Sequence, residues 1–203
     1  MFYSKKTLTA NDLKLMRGSE GNTFKKRLSY QIKTHKLIKI RRGLYVVADQ
    51  LYQLEEKDYR VIANSIYTPS YISYETVLRD EAVIFQRYVS VFVACRYTKS
   101  LTIALKSDLE PVKIQYQKMP DELLANPLGI KTQDGYTIAT LERALCDTFW
   151  HWGKLDLDIL NPQMIRRPRL IQIADLYDMY RPGFKKDLFA NLKPYGITAT
   201  VPE

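Results

Sequence analysis

The pattern that most constrains the fold lies at the start of the chain, where two helical segments precede two short β segments. Thr9 can serve as the N-cap of a helix over about residues 10–17, since its hydroxyl can accept a hydrogen bond from the first turn. Asp12, in that first turn, suits the helix dipole. Leu13 and Met16 would form the apolar stripe of this helix. Glycine and short polar residues over 18–22 then predict a turn.

A second helix is predicted to start at Asn22 or Thr23 and to end near Lys36. At about 100° per residue, its apolar side carries Phe24, Leu28, Ile32 and His35. The opposite side is polar and basic, with Lys26, Ser29, Tyr30 and Lys33 at its centre and Lys25 and Thr34 beside them. This separation predicts that one side packs on a core and that the other faces solvent or a partner.

Residues 37–47 predict two short strands joined by a tight turn at Arg42 and Gly43. Alternation places Ile38 and Ile40 inward and Lys39 and Arg41 outward. Helix, turn, basic helix and hairpin follow the order of a winged helix-turn-helix unit, which we expect over residues 1–48. In such a unit the second helix enters the major groove of DNA, and arginines of the wing reach phosphates or the minor groove.

The distribution of charge favours the same interpretation. The chain has 31 Lys and Arg residues, and 12 of them lie in the first 48 residues, where the only acids are Asp12 and Glu20. The net charge of that segment is therefore +10, whereas the net charge of residues 49–203 is −1, and the two sum to +9. Such asymmetry indicates a polyanionic partner, either nucleic acid or an anionic membrane. We expect double-stranded DNA and no membrane, because the apolar side of the second helix is narrow and better suited to a core.

Residues 49–203 predict a second, mixed α+β domain with an antiparallel sheet and a helical C-terminal part. The full length of 203 residues suits one medium domain or two small ones. Three successive strands are predicted over 87–96, 100–107 and 110–118, joined as an antiparallel meander. A further hairpin is predicted between Gly129 and Ala139. Helices are predicted over about 58–67, from a cap at Ser73 to Glu81, from a cap at Thr140 to Trp150, and over 156–160, 169–180 and 184–192.

The sequence gives little sign of catalysis, and we expect neither an enzyme nor a cofactor or metal. Nucleotide-binding and hydrolase signatures are absent. The two histidines, His35 and His151, are far apart in sequence, and both they and the cysteines Cys95 and Cys146 are best read as packing residues. The enzyme alternative is a metal-dependent nuclease in which acids such as Asp108 and Glu110 converge on one metal.

Localisation is predicted from absences in the sequence. The longest apolar stretch, Tyr88–Cys95, is too short to span a bilayer, and the N-terminus has no signal-peptide pattern. Two cysteines without a CxxC pair are typical of a reducing compartment. We therefore expect a cytoplasmic protein.

Three segments resemble AbiEi-type antitoxins of bacterial type IV toxin–antitoxin systems. Ile38–Val46 resembles their wing, Tyr67–Leu78 resembles a segment in which a proline precedes a YIS-E-AL-like stretch, and Tyr136–Asp147 resembles the start of one of their helices. Leu141 stands where the family usually has proline. The three motifs occur in the family's order, from about residue 10 to 152, and the last 50 residues match no part of the family.

The resemblance implies a DNA-binding antitoxin that binds inverted repeats in its own promoter and represses its operon. It also implies that the protein counteracts a nucleotidyltransferase-like toxin without a stable complex. The DNA contacts would come from the second helix and the wing, through Asn22, Thr23, Lys25, Lys26, Ser29, Tyr30, Lys33, Lys39, Arg41 and Arg42. The alternative is a winged-helix transcription factor whose C-terminal domain senses a ligand or dimerises.

Overall fold

The computed structural model describes residues 7–18, 20–41, 43–49, 54–85, 90–103 and 111–199. Over these ranges the protein is a mixed α+β structure with two sheets, which confirms the predicted fold class at that level. Within these residues, no helix has both the length and the apolar character needed to cross a membrane.

The N-terminal part folds as a three-stranded antiparallel sheet with two helices. Strand β3 lies between β1 and β2. Thr9 caps the first helix as predicted: its hydroxyl accepts from the Asp12 amide, while the Asp12 carboxylate accepts from the Thr9 amide at 2.7 Å. The elements are β1 (Thr7–Thr9), α1 (Ala10–Arg17), α2 (Gly21–Lys33), β2 (Leu37–Arg41) and β3 (Leu44–Val47).

Both faces of this small sheet are covered. Tyr45 and Val47 on β3 pack with the helices α1 and α2, in a cluster that includes Leu8 and Leu13. The alternate β3 residues, Leu44 and Val46, belong to the larger core formed by the rest of the protein. Because successive side chains of a strand point to opposite faces, one strand joins the two cores. The domain boundary predicted after residue 48 stays a prediction.

Several local predictions for this part are corrected. Helix α2 begins at Gly21 and ends at Lys33, so that His35 lies beyond it, exposed, with φ 53°, and not on the apolar side of a helix. The helix stops here because the chain must turn back to enter β2. Met16 is 39% exposed, since Leu13 and Ala10 make the contact of α1 with the small apolar cluster. The sequence does not predict strand β1, because three residues are too few to form a pattern.

The larger sheet has six strands in the described residues and is mixed. Its order is β6-β7-β5-β4-β9-β8, with parallel pairing between β5 and β7 and between β4 and β9. The predicted hairpin is present as β8 and β9, with Asp134 and Gly135 at positive φ in the turn. The strands are β4 (Ser70–Ile72), β5 (Ser90–Cys95), β6 (Lys99–Ile103), β7 (Val112–Lys118), β8 (Ile130–Gln133) and β9 (Tyr136–Ala139).

The predicted antiparallel meander is wrong. Strand β6 pairs with β7 alone, and β7 lies between β6 and the parallel strand β5. The burial of these strands gives the reason. Ile114 and Tyr116 on β7 are buried, whereas Lys99, Ser100 and Thr102 on β6 are exposed. The polar strand therefore takes the edge of the sheet and the apolar strand takes the interior.

Helices cover the larger sheet and form the C-terminal part. The segment 156–160, predicted as a helix, is not helical. Ser73 does not cap α4; Tyr74 occupies that position with φ 56°, and Thr140 precedes α6 without a capping hydrogen bond from its side chain. The helices are α3 (Glu56–Ile66), α4 (Glu75–Asp80), α5 (Asp121–Ala125), α6 (Leu141–Trp152), α7 (Arg167–Asp178) and α8 (Phe184–Leu192).

A buried carboxylate explains why Ser73 is not a helix cap. The Ser73 hydroxyl donates to Asp147 Oδ2 at 2.6 Å, and the Tyr71 hydroxyl donates to Oδ1 at 3.1 Å. The Tyr177 hydroxyl also donates to Oδ1. Arg143 lies one turn earlier on α6, with its Nε 3.3 Å from Oδ1. The carboxylate thus links α6 to β4 and α7.

The guanidinium of Arg143 is fully buried and is bound on several sides. Its Nη2 donates to the Leu123 carbonyl at 2.7 Å, and its Nη1 donates to the Leu128 carbonyl at 3.0 Å. It also lies over the rings of Tyr71 and Tyr177, with its carbon 5.3 and 5.2 Å from their centroids. Because each guanidinium nitrogen has a hydrogen-bond partner, the buried charge is compensated.

We predict that Arg143→Met lowers the free energy of unfolding by about 3–5 kcal/mol, because it leaves the Asp147 carboxylate buried without its cation. Urea denaturation followed by tryptophan fluorescence measures this change. Lys131→Met, at an exposed position on β8, serves as the matched control and is expected within about 0.5 kcal/mol of the parent protein. A loss below about 1 kcal/mol for Arg143→Met would show that the ion pair contributes little.

Candidate nucleic-acid interface

Helix α2 is held by its apolar side. Phe24 is 8% exposed, and Leu28 and Ile32 pack against the same cluster. These three residues are spaced by four, so they lie along one side of the helix and anchor it to the small sheet. The opposite side is consequently fixed in orientation and faces solvent.

The outward side of α2 carries the residues that the sequence predicts for DNA contact. Asn22, Thr23, Lys25, Lys26, Ser29, Tyr30 and Lys33 are all exposed. Tyr30 is 63% exposed, which is unusual for an aromatic residue. Among the described residues, no carboxylate forms an ion pair with the lysines of this side. The positive charge is therefore available to a partner.

A groove of about 400 Å³ lies beside Tyr30 on this surface. Lys26, Arg27 and Gln31 from α2 line it, together with Lys36 from the segment that follows the helix. Lys36 reaches the groove because the chain reverses at Thr34 and His35, where the Thr34 amide donates to the Tyr30 carbonyl at 2.9 Å. An aromatic ring among cations suits a base or sugar flanked by phosphates.

Sequence reasoning missed three of these residues. Arg27 and Gln31 lie at the border between the two sides of α2, where a helical projection assigns neither side clearly. The sequence predicts that the helix ends near Lys36, and only the reversal at His35 brings this residue to the groove. The many Lys and Arg residues over 25–39 indicate a basic surface, but the sequence does not show which of these side chains line one groove.

The β2–β3 hairpin follows α2 in the chain, at the position where the sequence predicts a wing. Lys39 is exposed, whereas Ile38 and Ile40 pack toward the larger core, as the alternation predicts. Gly43 has φ 86°, which fits the predicted turn. Arg41 lies in β2, and the pairing register shifts between Lys39 and Arg41. The side chain of Arg41 and the whole of Arg42 lie outside the described part of the chain.

The start of α2 faces the same side. Asn22 and Thr23 lie in its first turn, where backbone N–H groups have no partner within the helix. The side chain of the N-cap residue Glu20 makes no capping hydrogen bond. A helix N-terminus with exposed N–H groups can bind a phosphate oxygen, although the Glu20 carboxylate opposes an anion there.

The cysteines and His151, which the sequence offers as catalytic candidates, do not form a catalytic Cys–His pair in the described residues. Cys95 and Cys146 are buried free thiols, and burial raises the pKa of each. His151 is exposed and contacts the Trp152 ring. Asp108 and Glu110, named for a nuclease, lie outside the described residues. Over the described ranges, no group of three His, Cys, Asp or Glu residues could hold a metal ion.

The arginines near residue 167 are a second basic cluster. Arg166 is exposed, while Arg169 is partly buried. Arg167 Nη2 donates to the Gly196 carbonyl at 3.1 Å, so this side chain joins the start of α7 to the C-terminal segment. The cluster therefore has a structural contact of its own.

Comparison with known proteins gives no assignment. No protein-family model matches the chain. Its sequence matches no curated protein at a significant level.

Proposed function

We propose that this protein binds double-stranded DNA as a winged helix-turn-helix protein, with α2 in the major groove and the β2–β3 hairpin as the wing. The observation that carries the proposal is the outward side of α2, which is basic, exposed and unpaired among the described residues. The apolar side of the same helix is fixed on the small sheet. An α-helix fits the major groove, where its outward side chains can reach base edges.

Each side chain has a role in this proposal. Lys25, Lys26 and Lys33 neutralise phosphates, and Asn22 and Thr23 place the helix start against the backbone. Ser29 and Tyr30 face the bases. Lys39, Arg41 and Arg42 form the wing contact.

The natural test is a fluorescence-anisotropy titration of the protein's own upstream DNA against a shuffled duplex at several salt concentrations. Contact with about six phosphates gives a slope of log K against log salt near −5, from about −0.9 per phosphate. Selective binding with that slope supports the proposal. Absence of binding to either duplex would overturn it.

Removing two lysines from the outward side should reduce the salt dependence. We predict that Lys26→Ala with Lys33→Ala weakens binding to both duplexes alike and makes the slope shallower by about 1.8, since two phosphate contacts are lost. Lys131→Ala with Lys186→Ala removes the same charge from exposed positions in the rest of the protein and should leave the slope unchanged. Equal slopes for the two double variants would contradict the assignment of α2.

Tyr30 should act differently from the lysines. We predict that Tyr30→Ala weakens binding to the upstream DNA by about 1–3 kcal/mol while affecting the shuffled duplex much less, because base contacts carry sequence selectivity. The same titration, at one salt concentration, gives both affinities. Tyr30→Phe separates the ring from the hydroxyl. An equal loss on the two duplexes would make Tyr30 a non-specific contact.

We further propose that the protein is an antitoxin that represses its own operon and counteracts a nucleotidyltransferase-like toxin. The support is the resemblance of Ile38–Val46, Tyr67–Leu78 and Tyr136–Asp147 to AbiEi-type antitoxins. The basic, exposed side of α2 supports the repressor half of this activity. The alternative function is a winged-helix transcription factor that senses a ligand.

A growth assay tests the antitoxin half. A nucleotidyltransferase-like gene beside the coding sequence should arrest growth when induced, and co-expression of this protein should restore growth. We predict that the Lys26 and Lys33 double variant, produced from an independent promoter, still restores growth, because neutralisation would involve residues 49–203. No rescue by the parent protein would leave the transcription factor as the function.

A further inference from the structure

A cavity of about 200 Å³ lies between α4, the end of α6 and the segment that follows α6. Leu78 and Ile84 form its apolar wall, and Trp152 lies at its edge, 38% exposed. The proposed DNA contacts use none of these residues. Polar and charged residues also line this cavity, among them Glu75, Thr148 and Asp156.

Two residues that line the cavity each carry a buried polar atom with no hydrogen-bond partner among the described residues. One is Glu75 Oε2, in the first turn of α4; the other is Thr148 Oγ1, on α6. Thr148 is only 6% exposed. A buried polar atom without a partner costs about 1–3 kcal/mol, and native proteins contain few of them. Because both residues line one cavity, a single group bound there would supply the missing hydrogen bonds.

The charged residues that line the cavity indicate the charge of a molecule that would bind there. Asp156 and Asp158 line the cavity with Glu75, whereas Lys154 is the cation among the lining residues. Asp158 Oδ2 already accepts from the Phe85 amide at 2.6 Å, whereas Glu75 Oε2 has no partner among the described residues. A carboxylate and a hydroxyl can both accept hydrogen bonds from an ammonium group, which has only donors. An anion would face the carboxylates and is disfavoured.

We propose that this cavity binds a small organic molecule carrying a protonated amine. The ammonium group would donate to Glu75 Oε2 and Thr148 Oγ1, and the apolar body would pack against Leu78, Ile84 and the Trp152 ring. Aromatic rings attract cations, so Trp152 also suits a charged ligand. The volume is below the ~300–1,000 Å³ of sites for drug-sized ligands, which restricts the ligand to a small amine.

The protonation of Glu75 gives the site a dependence on pH. Burial raises the pKa of this carboxyl to about 7. Lys154, Asp156 and Asp158 line the same cavity, and the pKa of His151, the next-to-last residue of α6, is lowered by partial burial. An ammonium ligand needs the ionised carboxylate, so binding should strengthen as pH rises through 7.

Calorimetric titration of the full chain with benzylamine and isobutylamine tests the proposal, with benzyl alcohol and isobutanol as neutral counterparts of the same shape. We expect the amines to bind and each alcohol to bind at least tenfold more weakly. The affinity for the amines should rise about tenfold from pH 6 to pH 8, because a carboxyl with a pKa near 7 is mostly protonated at the lower pH.

Variants locate the site. Glu75→Gln should weaken amine binding at least tenfold and remove its pH dependence, and Thr148→Val should weaken it without removing the pH dependence. Glu122→Gln, at an exposed position on α5, is the matched control and should bind as the parent does. Thermal unfolding of each variant confirms that it is folded.

Several results would overturn the inference. Equal binding of amines and alcohols would make the cavity an apolar pocket without charge selectivity. Amine binding unaffected by Glu75→Gln and Thr148→Val would place the ligand elsewhere. No binding of any probe would mean that water alone satisfies the two buried atoms. The inference is independent of DNA binding, so its failure leaves the proposed function in place.

Discussion

The Asp147 carboxylate is the interaction on which the larger part of the structure depends. It lies fully buried on α6 and forms an ion pair with Arg143, one turn earlier on the same helix. It also accepts hydrogen bonds from the hydroxyls of Tyr71 on β4, Ser73 just after β4 and Tyr177 on α7. An isolated charge in such a place would be prohibitive. Because the donors come from the β4 segment, from α7 and from α6 itself, the charge is tolerated only when these elements are all correctly placed.

This network also orders the surroundings of the cavity. The Ser73 hydroxyl donates to Asp147, so Tyr74 occupies the N-cap position of α4. Its φ of 56° is a backbone conformation that residues other than glycine seldom adopt. Glu75 follows directly and is carried to the cavity wall, while Thr148 lies next to Asp147 on α6. The arrangement of the two unpartnered atoms therefore depends on the same carboxylate.

The sequence predicts the local elements of this protein better than their assembly. The cap at Thr9, the hairpin around Gly135 and the helix Phe184–Leu192 follow from residue preferences and periodicity, and the structure confirms them. The parallel pairing of β5 with β7 could not be predicted, because strand order depends on which strand can be buried on both sides. Likewise, a helical projection places Lys26 and Tyr30 outward, but it cannot place Lys36, whose position depends on the backbone at His35.

Strand β3 is shared by two cores, since Tyr45 and Val47 face the helices while Leu44 and Val46 face the larger part of the protein. A fragment that stopped after this strand would carry Leu44 and Val46 on an uncovered sheet face, with Ile38 and Ile40 beside them. Such a face favours self-association. The N-terminal part consequently depends on the rest of the chain for its solubility as well as for its packing.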